Sequence, residues 1–440
     1  MNSTIVAIAT PPGRGAIAIL RISGPKSAEA YKYLTKLKTS PKPNVIRPVW
    51  IYDGKDKLDH SMLVFFSSPN SFTGEDMLEI HCHGSKVVQD SIMRVLNENG
   101  IIPAKPGEFS ERAYYNGKID VAQAEAIMEL VASENSQIAK LATRQLAGEF
   151  SKKIATIRDS VTALSSAVSA DLDFSEEDTP SVSKAQIGKS VSRALGQVKQ
   201  VQAGSEILPK LREGIHVALV GLPNAGKSTL MNKLLGYERS IVTEIAGTTR
   251  DTISEAVEIG GITYHFTDTA GLNESPDKVE AIGIQKSIET IKAADIVLVL
   301  IEPGKENETN DFIKSHKIEQ YLKETKVLEV HTKNDLGSLK TGLSVSAKSG
   351  KGVDELISKI SGLPELKNQG NLQILTTRQL NILARVQSTL TDLIDKLDAL
   401  SNDIIGAELQ SVVEDLNELT GEQSTQQIID SIFRNFCIGK

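Results

Sequence analysis

The sequence predicts a multidomain α/β plus α protein, in which an α/β domain built on a parallel sheet is inserted into a helical domain. Three observations predict it. From Ile215 to about residue 360, apolar strand-like runs alternate with helical stretches, the pattern of parallel strands joined by crossover helices. On both sides of that region, apolar residues recur at helical spacing. At 440 residues the chain exceeds one ordinary domain, so two or three are expected.

Residues 1–118 read as a mixed α/β domain. Ile5–Ala9 and Ala16–Ile22 are short β-like runs around a Pro-Pro-Gly-Arg-Gly loop, and Val87–Leu96 has helical spacing that Gly100 ends. Residues 119–210 read as the first part of the helical domain. Val121, Ala124, Ile127, Met128 and Val131 form one helical stripe, and Ile154, Ile157, Val161, Leu164 and Val168 another. The acidic stretch Asp171–Pro180 breaks the pattern and is read as a loop. In the inserted domain, residues 215–365, the expected strands are His216–Val220, Thr252–Ile259, Ile262–Thr267, Asp295–Ile301, Val327–His331 and Leu343–Ser346. After the linker-like Gly362–Gly370, residues 372–440 resume helical spacing through Leu383, Val386 and Leu390, then Leu409, Val412 and Leu416. Lone amphipathic helices need a partner for their apolar stripes, so segments 119–210 and 372–440 are expected to pack on each other.

Hydrophobic residues make up 40% of the chain and charged residues 24%, a globular rather than a disordered balance. The net charge of −7 excludes bulk attraction to nucleic acid, so a polyanion would need a local basic patch or a partner. Two cysteines, Cys82 and Cys437, make no disulfide framework and suit a reducing compartment. Runs such as Ile296–Ile301 are too short to cross a bilayer, and the Met-Asn-Ser-Thr opening lacks a basic stretch, so a cytoplasmic protein without membrane association is expected. His81-Cys82-His83 is a poor metal site, because neighbours on a strand point to opposite faces. Cys437 fits a prenylation box poorly, and a small buried apolar role is expected for it.

The chemistry is concentrated between residues 221 and 348. Gly221-Leu222-Pro223-Asn224-Ala225-Gly226-Lys227-Ser228 follows the apolar run Val217–Val220 and precedes the helical Thr229–Leu235. The spacing is that of a phosphate-binding loop: glycines let backbone N–H groups turn inward, Lys227 reaches the β- and γ-phosphates, and Ser228 ligates Mg²⁺. Asp268-Thr269-Ala270-Gly271 ends a later strand, where the carboxylate would hold Mg²⁺ through water and Gly271 would sense the γ-phosphate. Thr332-Lys333-Asn334-Asp335 follows another strand, and Asp335 can accept two hydrogen bonds from guanine that adenine does not offer. Ser346-Ala347-Lys348 can support the base. The first position of this guanine motif is usually Asn, and Thr332 departs from it. Gly247-Thr248-Thr249-Arg250-Asp251 stands where a first switch loop belongs, with Thr249 a second hydroxyl for Mg²⁺ or a helix cap. A glutamine that orients the attacking water is missing: Leu272 follows Gly271, and Glu274 and Glu280 are the nearest carboxylates downstream.

These motifs, with Thr10-Pro-Pro-Gly-Arg-Gly through Ser23-Gly24, Phe72-Thr-Gly-Glu-Asp76, Pro106-Gly-Glu-Phe-Ser-Glu-Arg112, Asp120–Ala126 and the terminal Phe436-Cys-Ile-Gly-Lys440, resemble the MnmE (TrmE) family of tRNA-modification GTPases over the whole chain. The resemblance implies three domains: an N-terminal folate-binding-like domain that makes a homodimer, a helical domain in two segments, and an inserted P-loop GTPase domain. It implies nucleotide contacts from Asn224, Ala225, Gly226, Lys227, Ser228 and Thr229, from Thr243, Glu244, Ile245, Ala246, Gly247, Thr248 and Thr249, and from Asp268 to Gly271. K⁺ would be ligated by Asn224 and Thr248 side chains and by the backbone around Thr243 and Ile245, and Glu280 would orient the catalytic water beside Lys227. Arg21, Glu79, Lys118 and Lys440 would line a site for 5-formyltetrahydrofolate or a related tetrahydrofolate. The reaction implied adds a carboxymethylaminomethyl or aminomethyl group to carbon 5 of the tRNA wobble uridine, with the flavoprotein MnmG (GidA), which carries FAD and uses NADH, as partner in a heterotetramer or larger complex. An Era-like regulatory or assembly GTPase acting on ribosomal RNA or protein is the alternative. Such a protein usually carries a basic RNA-binding module, which a chain of net charge −7 does not display.

Overall fold

The computed structural model describes residues 3–173, 182–236, 254–268, 288–323, 325–335, 342–362, 372–423 and 425–440. The chain divides into two compact units: residues 1–128, 143–199 and 376–440 form one, and residues 129–142 and 200–375 the other.

The first unit opens on a six-stranded sheet of order β3-β4-β5-β2-β1-β6, made of β1 (Ile5–Ile8), β2 (Gly15–Ser23), β3 (Arg47–Asp53), β4 (Asp56–Phe66), β5 (Met77–Gly84) and β6 (Ile102–Pro103). Alternation along the strands sorts the faces. Ala18, Leu20, Ile22, Leu63 and Ile80 are buried against Tyr31 and Leu34 of helix Ser27–Thr35 and Ile92 and Leu96 of helix Lys86–Glu98. Arg21 and Glu79 stand opposite each other in the antiparallel β2–β5 pair, on the alternate face. The rest of this unit is helical. Helix Thr377–Lys396 packs on Asn402–Thr420, which packs on Glu149–Asp173. Their stripes bury Leu383, Val386 and Leu390 with Leu409, Val412 and Leu416, and Ile154, Ile157 and Val161. Each such side chain contributes about 1.5–3 kcal/mol. Helix Glu149–Asp173 runs three residues into the acidic stretch read as a loop, since Asp and Leu there still continue the helical turn.

The second unit holds a sheet of order β12-β11-β10-β7-β9-β8, from β7 (Ile215–Gly221), β8 (Ser254–Ile259), β9 (Ile262–Asp268), β10 (Ile296–Ile301), β11 (Lys326–His331) and β12 (Leu343–Ser344). Five strands are parallel, as expected. β8 is antiparallel to β9, a correction to the all-parallel expectation. Its cause is local: Gly260 and Gly261, both at positive φ (60° and 86°), make a two-residue hairpin that leaves no room for a crossover. Segment 129–142 is tied to this unit by polar bonds: Asn135 Nδ2 donates to Leu211 O (2.6 Å), Ser136 Oγ to Glu258 (2.6 Å), and Arg212 pairs with Glu129 (3.0 Å).

Candidate functional site

β7 delivers the chain to Gly221, where a Cβ would lie 2.7 Å from Leu300 O of neighbouring β10. Only glycine lets the two strands continue together to this edge. The loop then turns through Asn224 (φ 63°) and Gly226 (φ 90°), and helix Lys227–Leu235 starts with its N-terminal N–H groups facing the loop. Ala225 is buried, while Asn224, Ser228 and Thr229 are exposed. Lys227 is 5% exposed, and its Nζ donates to Gly221 O (2.8 Å) and Leu222 O (3.0 Å). Burial draws this ammonium below the usual lysine range, against the attraction of Asp268. Ser228 Oγ donates to Asp268 Oδ2 at 2.7 Å, because β9 runs parallel to β7 and ends there. A hydroxyl and a carboxylate so placed are hard oxygen donors of the kind Mg²⁺ takes.

β10 and β11 bring the base segment to the same sheet edge, the usual ligand edge of an open α/β sheet. Thr332 is 4% exposed and turns both its N–H (2.9 Å) and its hydroxyl (3.4 Å) to Ile301 O. Lys333 takes a left-handed backbone (φ 54°) and its Nζ reaches Glu302 Oε1 at 2.6 Å. Asn334 N–H donates to Val345 O. Asp335 is exposed, and its Oδ1 accepts from the buried Ser346 hydroxyl at 2.8 Å. That bond, with the charges of Lys348 and Lys333 nearby, holds the carboxyl below its ordinary range, so it is an ionised acceptor at neutral pH. Ala347 and Lys348 lie in the turn after Ser346. Thr243, Glu244, Ile245, Ala246, Gly247, Thr248, Thr249, Thr269, Ala270, Gly271 and Glu280 lie outside the described residues.

In the first unit, Arg21 and Glu79 form an ion pair at 3.0 Å, with the guanidinium 5.6 Å from the Phe72 ring centre and 5.9 Å from that of Phe109. Arg21 also reaches Gly439 O (3.5 Å), and Phe109 N–H donates to Lys440 O (3.3 Å), so the last residues of the chain come to this pair. Gly439 makes that possible: its φ is 93°, and a Cβ would sit 2.7 Å from Ile8 O. Lys118 is engaged elsewhere, donating to Pro69 O (3.0 Å) beside Gly74. Glu75 serves Arg112, a side chain 1% exposed that also bonds Glu108 and Ser3.

Cys437 is exposed, contrary to the buried role expected of it; the turn that brings Gly439 onto β1 leaves its thiol outside. Cys82 is buried and flanked by a half-buried His81 and an exposed His83, and no three-residue metal cluster occurs among the described residues. Sequence reasoning missed Glu302, Phe72 and Phe109. Glu302 is a single acid whose partner lies 31 residues on. The two phenylalanines lie in motifs already noted, but only the fold brings them to Arg21.

Comparison with known proteins adds a family to this geometry. The family model described as MnmE helical domain matches residues 121–437, and that of the GTP-binding protein TrmE N-terminus matches residues 4–118. The tRNA modification GTPase MnmE of Aquifex aeolicus is 36% identical over 454 residues, covering 100% of both chains. That of Vibrio cholerae is 38% identical over 453 residues with the same coverage. A solved structure of Era in complex with MgGDPNP and nucleotides of 16S ribosomal RNA is 28% identical over 40% of this chain and 66% of its own. Its TM-score of 0.27 carries no argument for an Era-like role.

Proposed function

The chain belongs to the MnmE family of tRNA modification GTPases, and from that premise we propose that its GTP hydrolysis serves the addition of a carboxymethylaminomethyl or aminomethyl group to carbon 5 of the tRNA wobble uridine. The observation that carries the nucleotide half is the single sheet edge shared by Lys227, the Ser228–Asp268 pair and the Ser346-bound Asp335. A cation, a metal-ligating oxygen pair and an ionised base acceptor then face one ligand.

The chemistry follows from these groups. Lys227 neutralises the β- and γ-phosphates as charge moves toward the leaving group. Ser228 and Thr249 would hold Mg²⁺, which supplies further neutralisation, with Asp268 next to it. Asn224, with Thr243, Ile245 and Thr248, would hold K⁺ as two nucleotide domains of a homodimer close, and Glu280 would orient the water. In the first unit a guanidinium paired with a carboxylate near two phenyl rings suits a flat, hydrogen-bonding heterocycle. We assign Arg21 and Glu79, with Lys440, to a tetrahydrofolate that carries the one-carbon unit; Lys118, which donates to Pro69 O, would join them only by leaving that bond. The partner in this reading is the flavoprotein MnmG (GidA), which would carry FAD and use NADH. The domains in this reading are residues 1–118 for folate and dimerisation, 119–210 and 372–440 for the helical domain, and 215–365 for GTP. The complex works in the cytoplasm. No helix among the described residues is long and apolar enough to cross a membrane.

Hydrolysis of GTP, ATP and xanthosine triphosphate by the purified chain, in K⁺ and in Na⁺, tests the nucleotide assignment. GTP turns over and ATP does not, and Asp335→Asn moves the preference toward xanthosine triphosphate, whose 2-oxo group accepts where guanine donates. ATP hydrolysis equal to that of GTP contradicts the assignment of Asp335, and equal rates in Na⁺ and K⁺ contradict that of Asn224.

A further inference from the structure

The guanine segment of this chain is anchored in an unusual way. Thr332 stands where the motif ordinarily has asparagine, and its hydroxyl is spent on Ile301 O at 3.4 Å, the carbonyl that already accepts the Thr332 N–H. A threonine offers one short donor where an asparagine amide offers two donors and an acceptor on a longer arm. The side chain therefore stays with its own strand neighbour. Lys333 follows with φ 54°, a conformation that a lysine adopts only when its surroundings hold it there.

What holds it is Glu302. Its Oε1 lies 2.6 Å from Lys333 Nζ, and its Oε2 lies 3.5 Å from Lys305 Nζ. The Lys333 bond keeps the Glu302 carboxyl below its ordinary range, which favours the ionised carboxylate. The position of Glu302 gives the contact its reach. It directly follows β10, which pairs with β7 on one side, Leu300 beside Gly221, and with β11 on the other, Ile301 beside His331. The strand that carries Glu302 is thus the common neighbour of the strand feeding the phosphate loop and the strand feeding the base segment.

We propose that Glu302 is a positioning residue for guanine recognition, fixing Lys333 and through it the Asp335 carboxylate, in place of the anchor that Thr332 is too short to provide. This deepens the GTP-binding reading above and rests on it. Glu302 touches no nucleotide; it acts by holding the segment that does. Exposed ion pairs often contribute little, but this one is half-buried, with side chains 30% and 19% exposed, and it restrains a strained backbone turn.

The test is the affinity and turnover of the full-length chain with fluorescent GDP and with GTP. Glu302→Gln, which keeps the shape and loses the charge, weakens GDP binding about threefold to tenfold and raises KM for GTP by the same factor at unchanged kcat. Adding Thr332→Asn to Glu302→Gln restores the affinity, because the longer amide supplies the second anchor. Lys333→Met combined with Glu302→Gln costs no more than either change alone. A merely structural role of Glu302 would lower the melting temperature of the chain without rescue by Thr332→Asn. Wild-type affinity in Glu302→Gln, or a loss that Thr332→Asn leaves untouched, overturns the proposal while the GTP-binding reading stands. A wild-type chain that binds no guanine nucleotide overturns both.

Discussion

The loop that carries Lys227 could be read from the sequence, because a phosphate loop is a local object: eight consecutive residues fix the turn, and the helix Lys227–Leu235 starts at the lysine. Its burial, with the ammonium on two loop carbonyls, adds an energetic reason for its importance. Lys227→Ala is expected to lower GTP turnover by at least about 100-fold, by analogy with removing other preorganised charge stabilisers, as measured in steady-state phosphate release. Glu302 and the Arg21–Glu79 pair could not be read in this way. Their partners are 31 and 58 residues distant and meet only through strand register. His265 carries a further residue-scale consequence. Burial first, and the stacked His216 ring 5.1 Å away second, lower its pKa below the usual histidine value. The folded unit therefore resists protonation that the unfolded chain accepts near pH 6.5, so stability is full above that value and falls as pH drops below it. Melting of the wild type should fall more between pH 7.5 and 5.5 than that of His265→Gln; identical shifts in the two proteins would contradict this assignment.

Among elements, strands with strong apolar character emerged from sequence to within a residue or two, as β7, β10 and β11 show. The orientation of β8 did not, since two adjacent runs around Gly260-Gly261 fit a hairpin as well as a crossover until the glycine dihedrals are known. β3 mixes polar, aromatic and apolar residues without a clear period, and β4 buries Asp59 and Ser61 in line with Leu63 and Phe65, so a count of apolar residues passes over both; β5 alternates openly, Leu78, Ile80 and Cys82 against Glu79, His81 and His83. Helix Thr377–Lys396 illustrates what an apolar stripe cannot reveal. Its start is fixed by a capping box of Thr376 and Gln379, and by Glu125, which accepts from Thr376, from Gln379 and twice from Arg378. Glu125 is 6% exposed, so its loss leaves an uncompensated guanidinium and two idle donors. Glu125→Ala should cost about 3 kcal/mol, read by chemical denaturation with a helical signal, and Thr376→Ala about 1 kcal/mol through the cap alone. Equal stability of Glu125→Ala and wild type would show that this network does not hold the helix.

The chain divides into two compact units, one with the sheet edge of Lys227 and Asp335 and one with the Arg21–Glu79 pair and the chain's last residues. Deleting residues 437–440 should leave GTP hydrolysis within about twofold while abolishing tRNA modification, because sites without shared partners act additively. The net charge of −7 is consistent with a chain that meets tRNA through a partner or a local surface rather than by bulk attraction. The central claim, a GTPase whose turnover serves wobble-uridine modification, is tested most directly by nucleoside analysis of tRNA from cells lacking this chain. Wobble uridines should lose their carboxymethylaminomethyl or aminomethyl group, regain it with the wild-type chain, and not regain it with Lys227→Ala. Unchanged wobble nucleosides in cells without the chain would contradict the account.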